Sequence, residues 1–73
     1  MDIKSLFDLT GEKAIVTGGG SGLGKQIAFA LAEAGANIAV VDISLEKARR
    51  VAQQIKKLGR EAIGLKVDVA QIN

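Results

Sequence analysis

The segment from Thr17 to Gly24, TGGGSGLG, contains the pattern in this chain best suited to binding a phosphate. Five of its residues are glycines, which tolerate positive φ and let the backbone approach a ligand without a Cβ in the way. An apolar run from Ala14 to Val16 precedes the segment, and a helix-periodic run begins at Leu23. In a strand, glycine turn, helix arrangement the first helical N–H groups lack partners and carry the positive end of the helix dipole. An anionic phosphate therefore fits there.

Three phosphate-loop spacings can be compared with these glycines. The spacing G-x-G-x-x-G fails, because its third glycine would fall on Leu23 or Lys25. The nucleoside triphosphatase loop, G-x-x-x-x-G-K-[ST], fits from Gly19 to Lys25 but places Gln26 where a hydroxyl should reach Mg²⁺. The third spacing, T-G-x-x-x-G-x-G, fits without a miss at Thr17, Gly18, Gly22 and Gly24.

On this third spacing the sequence resembles the short-chain dehydrogenase/reductase family, whose cofactor loop has the same pattern. The resemblance extends from about Leu9 to Val69 and covers only the front part of a family member. It implies a nicotinamide dinucleotide as cofactor. It also implies a parent reaction in which hydride passes between nicotinamide and an alcohol or carbonyl substrate. The substrate itself is not indicated, because its pocket lies in segments that these residues do not include.

Asp42 is the candidate for the adenosine ribose, since it ends a predicted strand and follows Gly24 by 18 residues. An acidic side chain there accepts hydrogen bonds from the ribose hydroxyls, and its charge repels a 2′-phosphate. Family members that prefer NADP often carry a basic residue just before the second motif glycine or just after the second strand. Ser21 and Ile43 stand at those places, so NAD is the expected cofactor. The alternative is that Asp42 caps a turn near Ser44.

Four further residues have expected roles at the site, and the resemblance implies those of Asp68 and Val69. Asp68 and Val69 end a predicted third strand and would meet the adenine edge, with the Asp68 side chain at the exocyclic amine and the Val69 N–H at a ring nitrogen. Thr17 can tie the loop to a neighbouring strand through its hydroxyl, and Leu23 would pack beneath the cofactor. Each has a structural alternative: aspartate is common at strand ends as turn chemistry, and Thr17 and Leu23 can equally serve the fold.

The family's catalytic residues cannot be carried over to these 73 residues. The family uses a Ser, a Tyr-x-x-x-Lys pair and an Asn-Ala-Gly stretch, and this chain contains no tyrosine. We therefore assign no catalytic residue and expect no dehydrogenase activity from the chain alone. Residues 1–73 are expected to form one partial dinucleotide-binding domain, with 1–12 as a lead-in and 13–73 as an incomplete βαβαβ unit.

The apolar pattern predicts five elements in the order β-α-β-α-β. The strands are expected at 13–17, 37–42 and 61–69, and the helices at 23–34 and 45–58. Gly35 and Gly59 follow the helices as C-terminal caps, and Ser44 is placed to cap the second helix at its N-terminus. Strands separated by helices pair in parallel through right-handed crossovers. The prediction is an α/β, Rossmann-like βαβαβ half of a doubly wound parallel sheet with strand order 3-2-1.

Both helices are expected on one face of this sheet, because the two crossovers step the same way. The strands are nonetheless apolar on both faces, with Val16 pointing opposite to Ile15, so one face is left bare. Several hundred Å² of exposed apolar surface is typical of an interface. We expect the isolated chain to self-associate, to misfold or to need the missing remainder of the fold. The alternative is that the lead-in around Leu6, Phe7 and Leu9 covers the bare face.

Composition excludes several classes of protein. The chain is 48% hydrophobic and 25% charged, with a net charge of +2 that is too small to indicate nucleic-acid binding. It has no cysteine and therefore no thiol-based metal site. No apolar run approaches membrane-spanning length, and the first residues lack signal-peptide features, so a cytoplasmic location is expected. Basic residues fall largely between the apolar positions of the second helix, a pattern typical of a solvated face; they are Lys47, Arg49, Arg50, Lys56, Lys57 and Arg60.

Two other functions remain open. One is a stand-alone, non-catalytic module for nucleotide binding or subunit association. It would be distinguished from the dehydrogenase by whether the reading frame continues past Asn73 into the catalytic segments. The other is a small nucleoside-phosphate enzyme with Lys25 as phosphate ligand, which Gln26 disfavours. Titration with NAD and with ATP·Mg²⁺ separates the two.

Overall fold

The computed structural model describes residues 8–67, which form a parallel sheet with two helices. The strands are β1 (Lys13–Thr17), β2 (Asn37–Asp42) and β3 (Ala62–Lys66), and the helices are α1 (Gly22–Glu33) and α2 (Leu45–Lys56). The strand order is β1-β2-β3, and both neighbouring pairs run parallel. The predicted α/β class and 3-2-1 order are therefore confirmed. Neither helix in this part of the chain has the length and apolar character needed to cross a membrane.

Some predicted ends were wrong by a few residues. The helix α1 begins and ends one residue earlier than expected. The helix α2 ends at Lys56, and the chain turns over residues 57–59 before Gly59 takes a φ of +86°. Leu58 therefore lies outside the helix and is exposed. The strand β3 begins at Ala62 rather than at residue 61, and Val67 already lies beyond it.

The core lies between one face of the sheet and the two helices. The strands contribute Val16, Ile38 and Val40, the helix α1 contributes Ala28 and Ala32, and α2 contributes Ala48, Val51, Ala52 and Ile55. The helix α2 thus buries most of one apolar face, while Leu45 at its start is only half-buried. The fully buried residues of α1 are alanines, whereas Leu23, where the predicted helix-periodic run begins, and Ile27 are exposed.

Among residues 8–67, no helix covers the other face of the sheet. Ile15 is 75% exposed and Ile63 is 56% exposed, and they flank Ala39 in register across the three strands. Val41 shares this face but is buried, since it lies on the central strand between Thr17 and Leu65. A shallow hollow of about 430 Å³ lies on the same face. Both helices therefore lie on one side of the sheet, as the crossover argument predicts.

The start of the described chain is tied to the sheet and to α1. The Leu9 N–H donates to the Ala34 carbonyl at 2.8 Å, and the Leu9 side chain packs against the core. Gly11 follows in a turn with a φ of +84°. Two other predicted anchors of the lead-in, Leu6 and Phe7, lie outside the described residues.

Candidate nucleotide-binding site

The glycine turn, residues 18–21, lies between β1 and α1 and contacts the end of β2. The Gly19 N–H donates to the Val41 carbonyl at 3.1 Å, and the Gly20 N–H donates to Asp42 Oδ2 at 3.0 Å. The carboxyl ends of parallel strands share one edge of the sheet, which brings together residues 22 positions apart. The turn and Asp42 therefore form one site.

Gly18 and Gly22 give the turn its backbone conformation. Their φ angles are +65° and +59°, in the left-handed region that residues with a Cβ rarely adopt. A Cβ built at either position would meet nothing within 4 Å. The space beside these two residues is open, so a ligand can approach the backbone there.

The other three glycines of the segment are required by packing within the protein. A Cβ at Gly24 would overlap the carbonyl oxygen of Gly18, and one at Gly19 would lie 3.0 Å from Val40 Cγ1. A Cβ at Gly20 would lie 2.8 Å from Asp42 Oδ2. The number of glycines is therefore explained in part by the fold, so it does not by itself indicate a ligand.

The two helices differ at their N-termini. The N-cap of α2 is Ser44, whose Oγ accepts from the Lys47 N–H at 3.3 Å, and Glu46 lies in the first turn. The predicted cap at Ser44 is thus confirmed. In α1 the N-cap Ser21 makes no side-chain cap hydrogen bond to the described residues, and the first turn, from Gly22, holds no acidic residue. The N–H groups at the start of α1 are consequently available to an anion.

Asp42 is held at two points by backbone donors. Oδ1 accepts from the Ser44 N–H at 2.9 Å and Oδ2 from the Gly20 N–H at 3.0 Å, while the residue is only 9% exposed. The Ser44 N–H, the Gly20 N–H and the charge of Lys47 hold the pKa of Asp42 below its ordinary value, against the opposing effect of burial. Asp42 therefore does cap the turn at Ser44, as the alternative interpretation of the sequence predicted. It does not exclude ribose binding, because a carboxylate has about four acceptor positions and two are used.

The remaining predicted site residues lie around the same edge or beyond the described chain. Thr17, Ser21, Leu23 and Ile43 are all exposed. Leu23 is 76% exposed, so it does not serve as a core residue among residues 8–67. Asp68 and Val69 lie outside the described residues.

Lys25 is not directed at the glycine turn as a triphosphate-binding lysine would be. Its ammonium lies 5.9 Å from the ring centroid of Phe29, one helical turn further along α1, within the range of a cation–π contact. Residues 8–67 also contain no group of three or more side chains suited to hold a metal ion. The position of Lys25 does not support the nucleoside-phosphate enzyme.

Comparison with known proteins identifies the family. The family model described as short chain dehydrogenase matches residues 12–73. The chain belongs to the short-chain dehydrogenase family. It is 43% identical over 61 residues to 7alpha-hydroxysteroid dehydrogenase of Escherichia coli K12, a match that covers 84% of the chain and 24% of the relative.

Two solved structures of the family resemble this one closely. A 7alpha-hydroxysteroid dehydrogenase in complex with NADH and 7-oxo glycochenodeoxycholic acid superposes with a TM-score of 0.90 and 38% identity, covering 97% of this chain and 28% of that one. A structure from Beutenbergia cavernae with NADP at low occupancy gives a TM-score of 0.84 and 36% identity, covering 90% and 26%. The chain thus spans about a quarter of the length of these relatives.

Proposed function

We propose that this chain is the NAD-binding, amino-terminal part of a short-chain dehydrogenase/reductase. The observation that carries the proposal is the meeting of three features at one edge of the sheet. They are an open glycine turn, a helix N-terminus without a side-chain cap, and the ionised carboxylate of Asp42. A phosphate fits the free N–H groups at the start of a helix, and ribose hydroxyls fit a carboxylate at the carboxyl edge of a parallel sheet.

The fit assigns a separate task to each part of the site. The N–H groups from Ser21 to Gly24 hold the cofactor diphosphate at the start of α1. The two unused acceptor positions of Asp42 receive the ribose hydroxyls. Leu23 and Ile43, which are exposed at this edge, offer apolar surface to the cofactor. The Thr17 hydroxyl is proposed to bond the loop to a neighbouring strand. The contacts of Asp68 and Val69 with adenine remain a prediction.

The parent reaction of the proposal is hydride transfer between nicotinamide and an alcohol or carbonyl substrate. A bound cofactor would supply the hydride donor or acceptor, while the residues of this chain bind and orient its adenosine half. A general acid must reach the reacting oxygen directly or through one water. Because these 73 residues contain no tyrosine, we expect the pure chain to form no NADH from NAD and an alcohol. Reproducible NADH formation, free of longer contaminants, would contradict this.

The proposal specifies NAD over NADP. Structures of relatives include one with NADH and one with NADP, so membership of the family leaves the choice open. The negative charge of Asp42 disfavours a 2′-phosphate at close range. Ser21 and Ile43, at the two positions where NADP-preferring members often carry a basic residue, bring no positive charge.

Calorimetric titration with NAD and NADP tests the proposal. We expect NAD to bind more tightly, and we expect Asp42→Ala to shrink the ratio of the two dissociation constants. The matched control is Asp8→Ala, because Asp8 is an exposed carboxylate that bonds only to Thr10 among the described residues. An unchanged ratio in Asp42→Ala would remove Asp42 from the role, and binding of neither nucleotide would contradict the nucleotide site as a whole. Tighter binding of ATP·Mg²⁺ than of NAD would favour the nucleoside-phosphate enzyme.

A further inference from the structure

Lys47 lies at the point where the glycine turn meets Asp42, although nothing in the sequence motif marks it. It is the third residue of α2, and its N–H is fixed by Ser44 Oγ at 3.3 Å. A Cβ built at Gly20 would lie 2.7 Å from Lys47 Cβ and 2.8 Å from Asp42 Oδ2. The exposed lysine side chain therefore starts beside the carboxylate that the proposal assigns to the ribose.

The charge of Lys47 affects Asp42 although the two side chains form no ion pair. It is among the causes that lower the pKa of Asp42, so the ammonium is close enough to favour the carboxylate form. The ion pair found within 4.0 Å among residues 8–67 joins Arg50 to Glu46 instead. The Lys47 ammonium thus lies beyond contact distance of Asp42 and remains able to pair with another anion.

We propose that Lys47 is a specificity residue for the 2′-position of the ribose: its ammonium attracts a 2′-phosphate and offsets part of the repulsion from Asp42. The inference rests on the proposed nucleotide site. If it is correct, the site prefers NAD over NADP moderately rather than strictly. Ser21 and Ile43 are neutral, so the residues at these two positions do not reveal the positive charge that Lys47 supplies from the first turn of α2. Lys47 reaches the site because Ser44 starts the helix there.

One exposed charge pair changes an affinity by up to about five-fold, and salt weakens it. In Lys47→Gln the ratio of the NADP and NAD dissociation constants should therefore rise by up to about five-fold at low ionic strength, and by less at high ionic strength. Lys47→Arg keeps the charge and should restore the original ratio. These substitutions keep the Lys47 N–H that bonds to Ser44 Oγ.

The matched control is Lys56→Gln, which removes the same charge from the opposite end of α2. Titration of the wild-type chain and the three variants with NAD and with NADP provides the test. A variant that is partly unfolded weakens both ligands by the same factor, so the ratio is preserved. The inference is overturned if Lys47→Gln leaves the ratio unchanged, or if Lys56→Gln alters it equally. Loss of binding of both ligands in the wild type would instead contradict the nucleotide site on which the inference rests.

Discussion

At the scale of single residues, Gly24 is the glycine with the least room for change. A methyl group there would overlap the carbonyl oxygen of Gly18, so the backbone of the turn or of α1 must move. We expect Gly24→Ala to lower the free energy of unfolding by about 3 kcal/mol, at the upper end of overpacking costs. The matched control is Gly59→Ala, at a φ of +86° but with nothing within 4 Å of the added carbon, which should cost about 1 kcal/mol. Urea unfolding of both variants checks this, and equal losses would contradict the close approach.

Asp42 should make the fold sensitive to acid. Because its pKa is lower in the folded chain, mainly through the Ser44 N–H, its contribution is fully present above the unfolded pKa of about 4. The contribution is lost as the pH falls through the lower folded pKa. Asp42→Asn should therefore flatten the decrease in thermal stability below about pH 4. The Thr10 hydroxyl and N–H also lower the pKa of Asp8, but solvent weakens these bonds at an exposed position, so Asp8→Asn should flatten it less. A greater effect at Asp8 would show that the buried carboxylate is not the acid-sensitive group.

At the scale of elements, the two helix N-termini predict different responses to the same substitution. Ser44→Ala removes the hydroxyl that accepts the Lys47 N–H and should cost about 1 kcal/mol. Ser21→Ala removes a hydroxyl that caps nothing among the described residues and should cost clearly less. Thermal unfolding in the absence of nucleotide measures both. A larger loss at Ser21 would mean that its hydroxyl supports the start of α1 after all.

The order of the elements followed from local sequence patterns, whereas part of the site did not. Turns, caps and apolar periodicity depend on neighbouring residues, so the strands, the cap at Ser44 and the turn at Gly59 were predictable. The packing reason for Gly20 was not, because the side chain that excludes a Cβ there belongs to Asp42, 22 residues away. The position of Lys47 beside Gly20 was not predictable for the same reason, because the two residues are far apart in the sequence. The sequence also left open whether Leu23 belongs to the core, since helical spacing does not reveal that the buried residues of α1 are alanines.

At the scale of the whole molecule, the bare sheet face should control association of the chain. Ile15 and Ile63 expose large apolar side chains on this face, and β1 pairs with only one strand among residues 8–67. We expect the wild-type chain to associate at micromolar concentration and Ile15→Ser to weaken that association. The control is Leu23→Ser, at a residue equally exposed but outside the sheet. Sedimentation velocity distinguishes these results, and a monodisperse wild-type monomer with a cooperative melt would contradict the expectation.

The adenosine half of NAD is expected to bind where the glycine turn, the start of α1 and Asp42 meet. Titration of the ¹⁵N-labelled chain with NAD, followed through the amide resonances, locates the binding site residue by residue. We predict that the largest shifts occur in the N–H groups of residues 18–24 and of Asp42 and Ile43. Smaller shifts are expected for the exposed basic residues of α2 remote from this edge, such as Arg50 and Lys56. No shift at saturating NAD, or shifts confined to that basic surface, would contradict the claim.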